Sequence, residues 1–363
     1  MSAPPRFVTS DEFVRRVGDG SLVVLDVREL DEVAAWPMPG ALTIPLGQLS
    51  VSLGAIPRDG DVVVVCAKGA RALEGARILA AAGIASVVLD GGMAAWASTY
   101  DEAVGEFAGA SVVQVRRRGK GCLSYVVGAG TRALVIDPST AIERYARIAG
   151  ERGWRIDHVV DTHLHADHLS GARALAASSQ ATLWLSASDP FHFDFEPLVD
   201  GATLELGGEV ALTVRGVAVP GHTPGSTMLA LADEAIFTGD TLFVESVGRP
   251  DLADQAERYA RHLHHSLRTH VVPRGDETTV LPAHYGASVA VERDRLVAAR
   301  LGDLRRTLAA LAFDEADFVA WALAHVTDRP ANYRRIVAVN AGDEVAGEES
   351  VTLEIGPNRC AIV

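Results

Sequence analysis

One stretch of sequence decides the fold of the longer part of the chain: Thr162-His163-Leu164-His165-Ala166-Asp167-His168. It directly follows Asp157 to Asp161, a run with the character of a strand. His163 and His165 are two residues apart, so both side chains can turn towards one point from a loop at a strand end. Imidazole and carboxylate groups together suit zinc, iron or manganese. The stretch therefore predicts a metal site at the end of a strand.

Three later segments each place a polar side chain just after a predicted strand. They are Pro220-Gly221-His222-Thr223, Thr238-Gly239-Asp240-Thr241 and Pro282-Ala283-His284. Strand ends at one edge of a sheet sandwich can converge on one point. We therefore expect His222, Asp240 and His284 to join the first cluster around a bound metal.

Residues 108–290 resemble the metallo-β-lactamase superfamily, on the His-x-His-x-Asp-His signature and the three later ligands. The resemblance implies an αββα sandwich with the metal at one edge. In its glyoxalase II-like thioesterase branch, the resemblance implies two zinc ions bridged by Asp240. The first would be held by His163, His165 and His222, and the second by Asp167, His168 and His284.

A second branch of that superfamily, the persulfide dioxygenases, implies a different use of the same residues. One Fe(II) per chain would be held by His163, His222 and Asp240, which leaves open positions for a thiol substrate and O2. Other residues would then orient ligands and water: His165, Asp167, His168 and His284. The segment from Ser246 to Asp251 also resembles this branch, and its Arg249 would shape the site or hold the thiol.

The first hundred residues alternate between strand and helix. Leu22 to Leu25, Asp61 to Val65 and Ser86 to Leu89 are continuous apolar runs, and the helical stretch Arg71 to Ala82 follows the second of them. Such runs are typical of a parallel sheet covered by helices on both faces. We therefore predict an α/β fold for this part of the chain.

A cysteine loop joins the second of these strands to the helix: Cys66-Ala67-Lys68-Gly69-Ala70-Arg71. The unpaired N–H groups and the dipole of the helix N-terminus would point at the sulfur. Lys68 and Arg71 add positive charge, and all of these favour the thiolate, which is the nucleophilic form. The loop predicts a reactive thiol at Cys66.

Residues 5–100 resemble the rhodanese (sulfurtransferase) domain. The resemblance rests on the cysteine loop and on Asp26 to Glu29, Pro39 to Pro45 and Leu89 to Trp96. It implies that Cys66 carries a persulfide sulfur cradled by the amides of Ala67, Lys68, Gly69 and Ala70, with Arg71 beside it. The sequence departs from the family at Trp36-Pro37-Met38, where members usually carry a Gly-His pair, but this segment lies outside the cysteine loop.

The predicted domains are 1–103 (rhodanese-like), 104–290 (metallo-β-lactamase-like) and 291–363 (a helical C-terminal extension). Composition changes around 98–110, which predicts a linker there. The extension is predicted as helical from Val289 to about Ala324, with a strand or loop from Pro330 to Val339. It could cap the site, form a dimer interface or pack on the rhodanese half, so a homo-oligomer is possible.

Charge and composition exclude several classes of protein. The 363 residues carry 33 Lys and Arg against 47 Asp and Glu, a net charge of −14, which disfavours general nucleic-acid binding. No apolar run approaches the roughly 20 residues that span a bilayer, so we expect no membrane segment. The first residues lack the apolar core of a secretory signal, and three scattered cysteines do not suit a disulfide scaffold. A cytoplasmic location is the expectation.

Three functional hypotheses follow. The favoured one joins a sulfurtransferase to an Fe(II) persulfide dioxygenase that oxidises a small thiol persulfide, of glutathione or an analogue, to sulfite and thiol. Its small-molecule partners would be that persulfide, thiosulfate and O2. The alternative is a thioesterase in which Zn(II), as one or two ions, activates water. The third is a regulatory or sulfur-relay module without turnover in its metal half.

Overall fold

The structure, a computed structural model, describes residues 5–17, 22–58, 60–207, 212–252, 255–327, 329, 332–347 and 350–362. The N-terminal strands are β1 (Arg6–Val8), β2 (Leu22–Asp26), β3 (Leu42–Thr43), β4 (Asp61–Val65) and β5 (Ser86–Leu89). The helices between them are α1 (Ser10–Val17), α2 (Leu30–Ala35), α3 (Leu46–Leu49), α4 (Ala70–Ala81) and α5 (Gly92–Trp96).

The N-terminal strands form a parallel sheet in the order β1-β5-β4-β2-β3. The central strand, β4, shows why such strands are continuous apolar runs in the sequence. Val62 and Val64 of β4 pack into the core on one face of the sheet, whereas Val63 and Val65 pack into the core on the other. Because side chains alternate between faces and helices cover both, every position from Val62 to Val65 is apolar. The predicted parallel sheet with helices on both faces is confirmed.

Two further sheets follow. The strands of the first are β6 (Tyr100–Phe107), β7 (Ala110–Arg117), β8 (Cys122–Ala129), β9 (Arg132–Ile136), β10 (Arg155–Val160), β11 (Thr182–Leu185) and β12 (Glu196–Pro197). Those of the second are β13 (Thr203–Leu206), β14 (Leu212–Ala218), β15 (Thr227–Leu231), β16 (Ala235–Gly239), β17 (Thr279–Pro282) and β18 (Ala299–Arg300). In each sheet, the spatial order of the strands follows the chain.

These sheets form the predicted αββα sandwich. The inner core lies between them and includes Tyr125, Leu229 and Phe237. Helices α6 (Ile142–Glu151) and α7 (Ala172–Ser179) cover the outer face of the first sheet. The outer face of the second is covered by α8 (Ala256–Ser266), α9 (Leu301–Thr307) and α10 (Glu315–Ala324). Helices α11 (Tyr333–Ala341) and α12 (Ser350–Leu353) follow. Within the described ranges, no helix is long and apolar enough to cross a membrane.

The structure corrects the sequence-based prediction in three segments. The predicted linker at 98–110 is largely strand β6, which pairs along its whole length with β7 and so belongs to the sandwich. The extension is not helical from Val289, because β18 completes the second sheet before α9 begins. Furthermore, Tyr333–Ala341 is helix α11, where the prediction for Pro330 to Val339 was a strand or loop. The sandwich therefore extends past both predicted boundaries, 103 and 290.

The two domains contact each other through the turn between β7 and β8. The indole of Trp36, the residue that departs from the rhodanese pattern, donates to the carbonyl oxygen of Gly119 at 2.9 Å. The Nε of Arg117 donates to the carbonyl oxygen of Ala97 at 2.6 Å. Trp36 is 8% exposed. The residue that departs from the rhodanese pattern, to which the sequence assigned no role, therefore supplies a buried contact between the domains.

Gly119→Ala tests this contact. A Cβ at position 119 would lie 2.3 Å from the carbonyl oxygen of Trp96, where the backbone cannot yield without moving α5. We expect the free energy of unfolding to fall by about 1–3 kcal/mol, the usual cost of forced overpacking, as measured by urea titration. The control is Gly150→Ala, where a Cβ meets nothing within 4 Å and should be neutral or stabilising. Equal stability of the two variants would contradict the close contact.

The last residues of the chain lie across the loops at the edge of the sandwich. The Asn358 amide donates to the carbonyl oxygens of Lys120 and Tyr285 at 2.9 and 3.0 Å. Ala361 forms a β-bridge with Gly248. The carboxylate of Glu354 accepts from Arg117 at 2.9 Å and from the N–H of Leu169 at 2.5 Å. The end of the extension therefore lies over the loops that follow the strands at this edge, which is the capping position among the three considered for it.

Candidate metal centre and cysteine loop

The predicted ligands all follow strands that end at one edge of the sandwich. The histidine loop, residues 161–169, follows β10 and is held by Asp137 at the end of β9. The Asp137 carboxylate accepts from the backbone N–H of Thr162 at 2.7 Å and from its hydroxyl at 2.9 Å. His222 lies beyond β14, Asp240 follows β16 directly, and His284 comes two residues after β17. Parallel and antiparallel pairing thus brings residues far apart in sequence into one cluster.

Three of these side chains direct free ligand atoms at one point. The Nε2 atoms of His163 and His222 lie 3.5 and 3.4 Å from Oδ2 of Asp240. All three residues are at most 2% exposed, and none of the three atoms has a hydrogen-bond partner among the described residues. Leaving three buried polar atoms unsatisfied is costly, so their arrangement fits a metal ion. The donor set is two imidazoles and one carboxylate, which suits iron or zinc.

The opposite side of each ligand is fixed by a hydrogen bond. Nδ1 of His222 donates to the carbonyl oxygen of Arg249 at 2.9 Å. Nδ1 of His163 lies 3.0 Å from the Thr162 hydroxyl. Oδ1 of Asp240 lies 2.6 Å from Nδ1 of His284. Such partners set the tautomer and ring orientation of metal ligands.

Local electrostatics keep these ligands in the forms that bind metal. Burial lowers the pKa of His163, with a further contribution from His165, and burial also lowers the pKa of His222. Burial opposes ionisation of Asp240, but neighbouring histidines, with His284 the largest contributor, outweigh it and hold its pKa far below the usual range. The two imidazoles are therefore neutral and the carboxylate is ionised, as ligation requires.

The other four predicted residues are engaged with one another or with carboxylates. His165 directs Nε2 at Asp137 (3.2 Å) and Asp161 (3.7 Å). Asp167 lies 2.9 Å from Nδ1 of His168 and 3.1 Å from Nε2 of His284. The Asp137 and Asp161 carboxylates thus face Nε2 of His165, whereas its Nδ1 has no hydrogen-bond partner among the described residues. The two-zinc arrangement that places His165 with His163 and His222 stays a prediction.

Two cysteines that the sequence left without a role lie in this cluster. Cys122 forms a β-bridge with His284, and its Sγ lies 3.6 Å from Oδ2 of Asp167. Burial and Asp167 oppose ionisation of this thiol, yet His284 and His168 outweigh them and lower its pKa to about 7. Cys360 comes from the C-terminal end. Each cysteine belongs to a group that could hold a metal: Cys122 lies with Asp167, His168 and His284, and Cys360 lies with Asp240 and His284.

Asp189 is a further residue that sequence reasoning missed. Its buried carboxylate accepts from the N–H groups of Leu164 and Gly225, both at 2.9 Å, and from the hydroxyl of Thr223 at 3.0 Å. It therefore ties the histidine loop to the loop that carries His222. A single aspartate 25 residues beyond its partner loop offers no spacing signal, so only the fold reveals this role.

The Arg249 guanidinium points away from the ligand atoms. It binds the Asp251 carboxylate at 2.7 and 2.9 Å and the carbonyl oxygens of Arg359 and Thr327 at 2.9 and 2.6 Å. Arg249 is 1% exposed. Its side chain anchors the C-terminal end, while its carbonyl oxygen orients His222. A direct contact between Arg249 and the thiol stays a prediction.

The cysteine loop joins β4 to α4 as predicted. Cys66 is 2% exposed, and the N–H of Gly69 lies 3.1 Å from its Sγ, so a loop amide does point at the sulfur. Gly69 has a φ of +103°, which favours glycine at this turn. Arg71 is paired with Glu32 at 2.6 and 2.7 Å, and lowers the pKa of that carboxyl to about 2.

Comparison with known families accounts for both halves of the chain. A model of the metallo-beta-lactamase superfamily matches residues 117–306, slightly more than half of the chain. The chain belongs to this superfamily. A rhodanese-like domain model matches residues 9–99. The predicted fusion of an N-terminal rhodanese domain to a metallo-β-lactamase domain is confirmed, and membership implies a metal at the edge described above.

The relatives of this chain include persulfide dioxygenases and hydroxyacylglutathione hydrolases. The persulfide dioxygenase ETHE1 of Bos taurus is 34% identical over 178 residues, which cover 47% of this chain and 66% of that protein. A hydroxyacylglutathione hydrolase of Acidiphilium cryptum is 36% identical over 128 residues, which cover 35% of this chain and 51% of that protein. The crystal structure of ETHE1 from Myxococcus xanthus matches with a TM-score of 0.57 at 25% identity, covering 64% of this chain and 98% of that one.

Proposed function

We propose that this protein is an Fe(II)-dependent persulfide dioxygenase joined to a rhodanese sulfurtransferase. The observation that carries the proposal is the group of three unsatisfied ligand atoms on His163, His222 and Asp240. Two imidazoles and one carboxylate are the ligand set of many iron oxygenases that leave positions open for substrate and dioxygen. The match to the persulfide dioxygenase of Bos taurus also supports the proposal, because it covers more of this chain than the match to the hydrolase of Acidiphilium cryptum.

The proposed overall reaction is RSSH + O2 + H2O → RSH + SO3²⁻ + 2 H⁺. The sulfane sulfur loses four electrons to dioxygen, and the thiol is released. Fe(II) bound to the three ligands would supply sites for sulfur and dioxygen and the redox chemistry that joins them. The protein orients the ligands through Thr162, His284 and the carbonyl oxygen of Arg249, and excludes bulk water by burying all three.

In the rhodanese half, Cys66 would accept sulfane sulfur. Its thiolate attacks the outer sulfur of thiosulfate, the S–S bond breaks, and sulfite leaves with the bonding electrons. The Gly69 N–H at 3.1 Å stabilises negative charge on the sulfur. The acceptor of this sulfur would be a small thiol, which becomes the persulfide that the second half oxidises.

A second candidate is a hydrolase with two zinc ions. It is favoured by the nearby group Cys122, Asp167, His168 and His284, whose potential ligand atoms lie within 4.8 Å of one another. Zinc there would lower the pKa of a bound water for attack on a thioester. The hydroxyacylglutathione hydrolases among the relatives fit this alternative.

Metal content and oxygen uptake separate the two candidates. After anaerobic loading with Fe(II), we expect about one iron per chain, and oxygen uptake with glutathione persulfide that forms one sulfite per O2. Zinc-loaded protein is the control and should take up no oxygen. Two zinc ions per purified chain, no oxygen uptake after iron loading and hydrolysis of thioesters would reject the dioxygenase.

A further inference from the structure

A cavity of about 580 Å³ lies between the two domains. Its walls come from three parts of the chain: the cysteine loop, the sandwich and the C-terminal extension. They include Ala67, Lys68, Lys120, Asp167, Asn332 and Arg359. The volume falls within the roughly 300–1,000 Å³ of small-molecule sites.

The distribution of lysine singles this cavity out. Lys68 and Lys120 are the only lysines in the sequence, and both line the cavity. Every other basic residue, of the 33 Lys and Arg in the chain, is arginine. Lysine differs from arginine in carrying a compact charge with three rotatable donors. Both lysine side chains of this protein therefore line the same cavity.

The charges around the cavity are not balanced by the protein itself. The Nζ of Lys120 donates to the carbonyl oxygen of Glu354 at 3.2 Å and lies 4.0 Å from Oδ2 of Asp167. By contrast, the side chains of Lys68 and Arg359 have no ion pair or hydrogen bond with any residue that the structure describes. In a chain of net charge −14, two unpaired cations on one cavity favour an anionic ligand.

The cavity lies beside both candidate sites, and it is lined by neighbours of Cys66 and of the proposed iron ligands rather than by those residues themselves. On one side, Ala67 and Lys68 directly follow Cys66. On the other, Asp167 lies 3.1 Å from Nε2 of His284, and Nδ1 of that histidine lies 2.6 Å from Asp240. Two side-chain contacts therefore connect the cavity wall to a proposed iron ligand.

We propose that this cavity is a shared binding site in which an anionic thiol receives sulfane sulfur from Cys66 and presents it to the metal centre. The inference rests on the proposed function. The thiolate of the bound molecule attacks the outer sulfur of the Cys66 persulfide, the S–S bond breaks, and Cys66 leaves as thiolate. Sulfur moves as a neutral atom, so charge balances and no oxidant is needed. Lys68 and Arg359 hold the carboxylates of the thiol.

Binding can be measured without turnover, because the chain has so few lysines. Reductive ¹³C-dimethylation keeps their charge and gives two lysine NMR signals besides that of the α-amino group, and Lys68→Arg assigns one of them. We expect glutathione to shift the Lys68 signal in a saturable way, with thiosulfate as a second arm. Sulfate at equal ionic strength and the neutral thiol 2-mercaptoethanol are the controls. An equal shift with sulfate, or none with glutathione, would overturn the site.

Kinetics test whether the site is shared. Lys68→Ala and Arg359→Ala should each raise KM about tenfold, both for the thiol acceptor in sulfur transfer and for glutathione persulfide in oxygen uptake. The control is Arg77→Ala, which removes an exposed cation of α4 whose one partner among the described residues is Glu74, and it should change neither KM. A rise confined to sulfur transfer would overturn the shared site and leave the dioxygenase proposal intact. Absence of oxygen uptake in the wild-type protein would reject that proposal, while the NMR titration still decides on binding.

Discussion

Asp240→Asn is expected to abolish metal binding and oxygen uptake. Oδ1 of Asp240 accepts from Nδ1 of His284, so the asparagine oxygen would stay at that position. The amide NH2 would then replace Oδ2 and point its hydrogens at the site shared with His163 and His222. An N–H donor cannot ligate a cation, and the negative charge is lost as well. Two neutral imidazoles would remain, which is too few for a stable site.

The expected result is metal content near zero and oxygen uptake at least about 100-fold lower, since even the partners of metal ligands cost 10–100-fold when they are replaced. Metal analysis and an oxygen electrode measure the two effects. Sulfur transfer by Cys66 should persist, which also reports that the protein has folded. Asp294→Asn, at an exposed position, is the matched control. Retention of both iron and oxygen uptake in Asp240→Asn would show that these atoms do not hold the metal.

Local pattern predicted much of the fold because buried strands are strongly encoded. Ser86–Leu89 matches its prediction at both ends, and Ala70–Ala81 is shifted by one residue. Strand β6 was missed because Tyr100–Phe107 is an edge strand with three acidic residues and only one fully buried position, so it lacks an apolar run. Its pairing with β7 supplies a stability that its own composition does not indicate.

The candidate ligands could be found because each follows a strand, and strand ends at one edge converge. The sequence could not predict which neighbouring groups face each of these candidate ligands. His163 and His165 have the same local spacing, yet only the fold places Asp137 and Asp161 against His165. Likewise, Cys122 comes to the cluster through its bridge to His284, a contact between residues 162 positions apart. Tertiary contacts of this kind leave no local signal.

Cys66→Ser is expected to abolish sulfur transfer while sparing oxygen uptake with a supplied persulfide. The hydroxyl is nearly the same size as the thiol and can still face the Gly69 N–H, so the loop should keep its shape. However, serine does not ionise near neutral pH and cannot carry a sulfane sulfur. We expect transfer from thiosulfate to fall by at least about a thousandfold, the scale on which enzymes lose activity without their nucleophile.

The same variant provides its own control, because Cys122 and Cys360, the other cysteines of the chain, both lie at the metal cluster. Two activities should be measured in parallel. The first is sulfur transfer, followed by the sulfite and the persulfide that form from thiosulfate. The second is oxygen uptake with supplied glutathione persulfide. Loss of the first with the second intact would assign separate steps to the two domains. Loss of both would contradict this division of labour and make Cys66 part of the oxidation itself. Since the cavity wall runs from Ala67 and Lys68 to Asp167, that outcome would place the substrate across both domains at once.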